Sequence, residues 1–140
     1  MRWYSMLLAA LLGVFLVVSV SQATVPSHVW SHGYSGGVGG ALSVAADPSG
    51  NVVISGWYYS SMDFGGGPLT GGGGTDAFVA KFDPNGAYLW SHGFGDADDQ
   101  TALDVATDVS GNVLISGRFT GTVDFGGGPL SAVKTSAFVV

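Results

Sequence analysis

Leu42-Ser43-Val44-Ala45-Ala46-Asp47-Pro48-Ser49-Gly50-Asn51-Val52-Val53-Ile54-Ser55-Gly56 holds two short apolar runs around a turn, and its reading decides the fold. Leu42, Val44 and Ala46 alternate with Ser43 and Ala45, the spacing of two that marks a strand with one covered face. Asp47-Pro48-Ser49-Gly50 then reverses the chain: Pro presets φ for a type I turn, and Gly supplies the positive φ of the bulge that matches hairpin twist. Asn51 to Ser55 returns as a β-branched strand.

The same device recurs. Phe78, Ala80 and Phe82 alternate with Val79 and Lys81, Asp83-Pro84-Asn85-Gly86 turns, and Ala87 to Trp90 returns. Further on, Asp108, Gly111 and Asn112 take the places of Asp47, Gly50 and Asn51. Sliding the sequence against itself shows why. Trp30-Ser31-His32-Gly33 returns as Trp90-Ser91-His92-Gly93 at an offset of 60, and Asp63-Phe64-Gly65-Gly66-Gly67-Pro68-Leu69 returns as Asp124 to Leu130 at an offset of 61. The offset is 60 again at Ala77-Phe78-Val79 and Ala137-Phe138-Val139. Length changes confined to loops between matched apolar runs are what a repeat architecture tolerates. The prediction is an all-β chain of antiparallel four-stranded units of about 60 residues, with unit 1 at 30–89 and unit 2 at 90–140. Val140 aligns with Ala80, so unit 2 is expected to be truncated inside a strand, leaving an open edge prone to self-association.

Composition narrows the function. Of 140 residues 24 are Gly, ten are acidic and four are basic, for a net charge of −6 and a pI near 4.4. That balance cannot neutralise a phosphate backbone and argues against a nucleic-acid partner. Cysteine is absent, which removes disulfides, thiolate metal sites and cysteine nucleophiles. Residues 1–23 read as a secretory signal: Arg2 at the start, an apolar stretch from Met6 to Val20, and Ser21-Gln22-Ala23 as a small-x-small cleavage site. The mature chain is expected to begin at Thr24 with a tail over 24–29 and to be secreted, to the periplasm, cell surface or medium. Contact with a membrane is expected only if the signal stays uncleaved.

With its Asp-x-x-Gly-Asn turn between apolar strands and a closing Gly, Leu42 to Gly56 resembles the repeat of the bacterial seven-bladed β-propeller family. Asp108 to Gly117 matches it again with Val109 in place of Pro48, and Asp63-Phe64 and Asp76 to Lys81 resemble what surrounds those units. The resemblance covers Trp30 to Val140 and implies propeller blades. It carries no catalytic residue. Two units fall short of the four blades or more that close a ring.

Several residue groups invite a chemical reading. Asp63-Phe64-Gly65 and Asp124-Phe125-Gly126 spell the kinase metal-binding tripeptide but lack its companion motifs, so a strand-end Phe followed by a glycine turn is expected. Gly71 to Gly74 has no following Lys-Ser/Thr and reads as a flexible linker between hairpins. His32 and His92 recur after Trp30 and Trp90, which favours a structural place over a general base. Asp96, Asp98, Asp99 and Asp104 form the one unrepeated acidic cluster and the only calcium candidates; Thr101 and Thr107 stand where an EF-hand loop needs Gly and Glu, so a solvated acidic loop is expected and no metal or cofactor is assigned. Trp57 and Tyr59 are matched by Arg118 and Thr120, so the repeat does not demand them, and they are the candidates for stacking on a sugar or peptide.

The expectation is an exported, non-enzymatic repeat protein acting as a scaffold or binding surface, whose partners are further blades, a cell-surface protein or a polysaccharide. The rival reading is part of a propeller-fold hydrolase or lyase with its catalytic groups in other blades.

Overall fold

The computed structural model describes residues 27–140; the expected signal and residues 24–26 of the expected tail lie outside them. Seven strands follow in order: β1 (Gly36–Ala46), β2 (Val52–Asp63), β3 (Pro68–Phe82), β4 (Tyr88–Phe94), β5 (Gln100–Thr107), β6 (Val113–Asp124) and β7 (Pro129–Val139). They form two antiparallel sheets, β1-β2-β3-β4 and β5-β6-β7, each with neighbours in sequence as neighbours in space. The chain is all-β, and no helix occurs among the described residues. The repeat and the sheets are out of phase: Trp90, where the second copy of the sequence motif begins, lies inside β4 of the first sheet.

Three hairpin turns are built alike. The Asp47 carboxylate accepts the backbone N–H of Ser49 (2.8 Å) and Asn51 (3.0 Å), and its second oxygen accepts Asn51 Nδ2 (2.8 Å). Asp108 repeats these bonds with Ser110 and Asn112 (2.8, 2.8 and 2.7 Å), and Asp83 repeats the two backbone bonds with Asn85 and Ala87 (both 2.8 Å). Gly50, Gly86 and Gly111 have φ of 80°, 85° and 82°, the left-handed region where a Cβ is strained. The Asp therefore satisfies donors that a tight turn would otherwise expose unpaired. Asp47 differs in one respect. Lys81 on β3 reaches it at 2.7 Å, and this partner, ahead of Asn51, holds the carboxyl far below the usual carboxylate range.

Asp63 and Asp124, in the tripeptides above, also close turns: their oxygens accept Gly65 and Gly67 N–H (2.7 and 3.1 Å) and Gly126 and Gly128 N–H (2.7 and 3.1 Å). The Phe beside each is core. Phe64 and Phe78 lie 4.7 Å apart between ring centroids, and Phe125 and Phe138 lie 4.6 Å apart. Tyr34 on Phe64 (5.1 Å) is matched by Phe94 on Phe125 (4.9 Å). His32 sits between Trp30 and Tyr34, and His92 between Trp90 and Phe94, at nearly equal spacings. Both histidines are thus rungs of an aromatic ladder, each apolar ring contributing about 2 kcal/mol when buried.

The two faces of the first sheet have different neighbours. Val53, Ala77 and Val79 join Ala102, Val105, Ile115, Phe119, Val123 and Phe138 in one core between the sheets. Tyr58, Met62, Phe64, Phe78, Ala80 and Phe82 form a second core on the opposite face, under Tyr34 and Tyr88. Where the sheets meet, β1 and β5 run side by side: Ser43 Oγ donates to Asp104 Oδ1 (2.6 Å) and Thr107 Oγ1 donates to the Ala46 carbonyl (2.8 Å). Each pair is 61 residues apart, one full repeat.

One sequence reading is corrected. Gly71 to Gly74 is not a linker but part of β3. A Cβ at Gly72 would collide with the Asp96 carbonyl, and one at Gly74 with the Asp98 carbonyl. Glycine is needed there because the backbone of the acidic loop lies directly on the strand.

Candidate functional site: the cleft between the sheets

Trp57 on β2 sits over Gly40 of β1, where no side chain competes for the space. Arg118 occupies the equivalent place in the second sheet, paired with Thr101 as Trp57 is with Gly40. Docking of the sheets brings these two unlike residues into one open cleft of about 390 Å³, lined also by Leu42, Thr75, Thr101 and Leu103. Leu42 and Leu103 are themselves one repeat apart and half exposed. An indole face, two aliphatic walls and a guanidinium make an amphipathic surface that can stack on a flat or ring-shaped group and bind an oxygen acceptor. Tyr59 is half exposed but does not line this cleft. Tyr58, between the two candidates, points into the opposite core.

The acidic loop frames the cleft. Asp99 accepts both the N–H and the hydroxyl of Thr75 at 3.0 Å, and these bonds, with the nearby Arg118 charge as a smaller cause, hold its carboxyl below the usual range. Asp96 accepts Asp98 N–H (2.8 Å), Gln100 Nε2 (2.7 Å) and Thr122 N–H (2.7 Å), and its carboxyl too is held low, chiefly by backbone donors. Asp104 takes the Ser43 hydroxyl and Val105 N–H. The acidic loop is exposed at Ala97 to Asp99, as is Asp104 on β5, and it also serves as a clasp: Asp99 ties it to β3, and Asp96 ties it to β5 and β6. Among the described residues no three His, Asp or Glu side chains gather where they could hold a metal ion.

Two buried polar residues escape a sequence reading. Gln100, fully buried, donates to Asp96 and to the Thr120 carbonyl (2.9 Å). Asp76, also buried, accepts only Gly72 N–H (3.1 and 3.2 Å); burial first, and the Asp96 charge second, push its carboxyl up. Tyr58 is pushed up to about 12 by the same burial and by Asp76. Asp76 and Tyr58 are matched by Ser136 and Phe119 in the second unit, and that mismatch was the available signal.

A second concavity of about 490 Å³ lies along His32 to Ser35, beside Asp63 and Tyr88. Its walls are turn and core residues, among them Phe64, Gly65, Gly86 and Ala87. Compared with known proteins, the chain matches no family model and no curated protein.

Proposed function

We propose that the chain is an exported, non-enzymatic repeat protein of the β-propeller type, in which paired sheets form a rigid frame and the cleft at Trp57 and Arg118 is its contact surface for a carbohydrate or a protein segment. One observation carries this reading: equivalent positions of the two units hold Trp and Arg, and the packing turns both into one cleft. The frame needs neither residue, since the repeat closes its cores with the Phe, Tyr and Val positions it shares. The propeller reading is supported by adjacent inner strands displaced by one repeat and by the resemblance of Leu42 to Gly56 and Asp108 to Gly117 to propeller units. Export is supported by the composition of residues 1–23.

The test is binding of the purified chain to immobilised polysaccharides and peptides, compared with Trp57→Ala and Arg118→Ala. Retention that falls about tenfold or more in each variant is expected, the scale of losing one stacked or charge-assisted contact. Binding that both variants leave intact would move the contact elsewhere on the frame.

A further inference from the structure

We propose that Asp76 and Gln100 form a proton-operated latch between the two sheets: on acidification the Asp76 carboxyl donates a hydrogen bond to Gln100 Oε1, and ionisation as pH rises breaks it. Asp76 lies on β3 of the first sheet and Gln100 opens β5 of the second; they are 2% and 0% exposed. Gly95 brings them face to face, since a Cβ there would collide with both Asp76 Oδ1 and Gln100 Oε1. The two oxygens close on one spot because that residue has no side chain.

The Gln100 amide is not free to turn away. Its Nε2 donates to Asp96 Oδ1 (2.7 Å) and to the Thr120 carbonyl (2.9 Å), which uses both N–H groups, and its Oε1 accepts Asp96 N–H (3.2 Å). Flipping it would set an oxygen against two acceptors and an NH2 against a donor, so the network fixes which end faces Asp76. Oε1 keeps a lone pair for a second donor. An ionised Asp76 cannot supply one: its two oxygens share a single backbone N–H, from Gly72. Two acceptors therefore meet with no hydrogen between them, and a proton on Asp76 turns that opposition into an O–H···O bond.

No other group fills the gap. From β2, the Tyr58 hydroxyl faces the Thr70 carbonyl (3.4 Å) and stays protonated, its pKa pushed up to about 12. From the loop, Asp96 brings a negative charge, kept ionised by its own backbone donors, while Asp98 lies against Gly121 and Asp99 is bound to Thr75. Among the described residues Asp76 has no cation partner; the ion pair there joins Lys81 to Asp47. Burial, with the Asp96 charge, thus favours the neutral carboxyl. The latch acts on the rim of the cleft. Thr75, beside Asp76 in sequence, lines the cleft and is held by Asp99. A bond at Asp76 adds a hold between β3 and the strand that follows this loop. Position 136 of the second unit is Ser, so the device belongs to this junction and not to the repeat.

NMR of the purified chain supplies the test. The Asp76 carboxyl carbon and the Gln100 side-chain amide should titrate with one shared midpoint, above the ordinary carboxylate range. Between pH 7 and pH 4, where Asp99 stays ionised, the protection of Thr75 N–H against hydrogen exchange should rise by about threefold or more, the scale of one added neutral hydrogen bond. Asp76→Asn, whose amide donates as the protonated acid does, should hold the Gln100 signals at their acid position and abolish the pH dependence of Thr75 protection. Gln100→Met removes the acceptor and keeps the bulk, so it should lower the Asp76 midpoint; a midpoint set by burial alone would stay where it was. A Gln100 amide that ignores the titration, Thr75 protection unchanged by acid, or an Asp76 midpoint unmoved in Gln100→Met overturns the proposal.

Discussion

The two sheets are copies of one design placed in different surroundings. The first has four strands and a neighbour on each face, the second sheet on one and residues 30–34 on the other; the second has three strands and one face without a neighbour among the described residues. Identical turns and aromatic rungs persist in both, so these follow from local sequence. Burial does not persist, because it depends on what each sheet meets. The comparison separates what a repeat encodes by itself from what only neighbouring units supply.

The largest expected effect breaks that comparison at one repeat position. Val53 is fully buried between the sheets and its copy Leu114 is 44% exposed. Val53→Asp should unfold the chain or cost more than about 3 kcal/mol, since a carboxylate would lose its water without gaining a partner. Leu114→Asp, measured by chemical denaturation at high dilution, should cost less than about 1 kcal/mol. Equal damage from both would mean the second face is covered as firmly as the first.

A smaller and symmetric effect belongs to the turns. Gly50→Ala and Gly111→Ala should each destabilise by about 1 kcal/mol, because φ is 80° and 82° in the two sheets and neither added methyl meets an atom closer than 3.5 Å. Matching losses would show that the turn cost is local; a loss confined to one variant would contradict that.

Asp76 gives a difference of the opposite sign. Its carboxyl titrates higher in the folded chain than in the unfolded one, so folding favours the protonated form. The destabilisation is thus absent well below the unfolded pKa and grows as pH rises through the folded one. Asp76→Asn keeps an acceptor for Gly72 N–H without the charge and should raise stability at pH 7 by about 1 kcal/mol, with little change at pH 3. Ser136, the exposed counterpart, offers no such gain. A variant less stable at pH 7 than the parent would show that the buried charge has a partner it needs.

What was legible in the sequence was local or repeated. The Asp47, Asp83 and Asp108 turns are each written within five residues, and the aromatic ladder shows itself because Trp30, His32 and Phe64 return as Trp90, His92 and Phe125. The cleft was half legible: Trp57 stood out against Arg118 as a mismatch, but only the docking of the sheets makes them neighbours. Gly71 to Gly74 misled because four glycines look alike whether they serve freedom or close approach, and the partner at Asp96 to Asp98 is more than twenty residues away. The acidic loop was partly legible: Ala97 to Asp99 are exposed as expected, but the bonds from Thr75 to Asp99 and from Thr122 to Asp96 join residues more than twenty apart, which no spacing rule reveals.

The smallest expected effect uses one sheet to mend the other. Ser60 has φ of 71°, the only positive φ outside glycine among the described residues, and it lies where β2 and β3 slip register between Tyr59 and Ser61. At the same bulge in the second sheet, between Phe119 and Gly121, the repeat places Gly121 at φ 75°. The backbone geometry is therefore demanded by the bulge and not by the residue. Ser60 is exposed and its hydroxyl makes no hydrogen bond, so the side chain brings left-handed strain and no compensating contact. Ser60→Gly should stabilise the chain by about 0.5 kcal/mol, the relief of strain outweighing the entropy that glycine adds to the unfolded state. The reverse exchange is not equivalent. A Cβ at Gly121 would come within 2.5 Å of Asp98 Oδ2 and 2.8 Å of Asp96 Oδ2, so Gly121→Ser should loosen the clasp as well as strain the bulge. Denaturant midpoints for the two variants settle the comparison: opposite signs support a bulge tolerated in the first sheet and enforced in the second, and a loss on Ser60→Gly would defeat it.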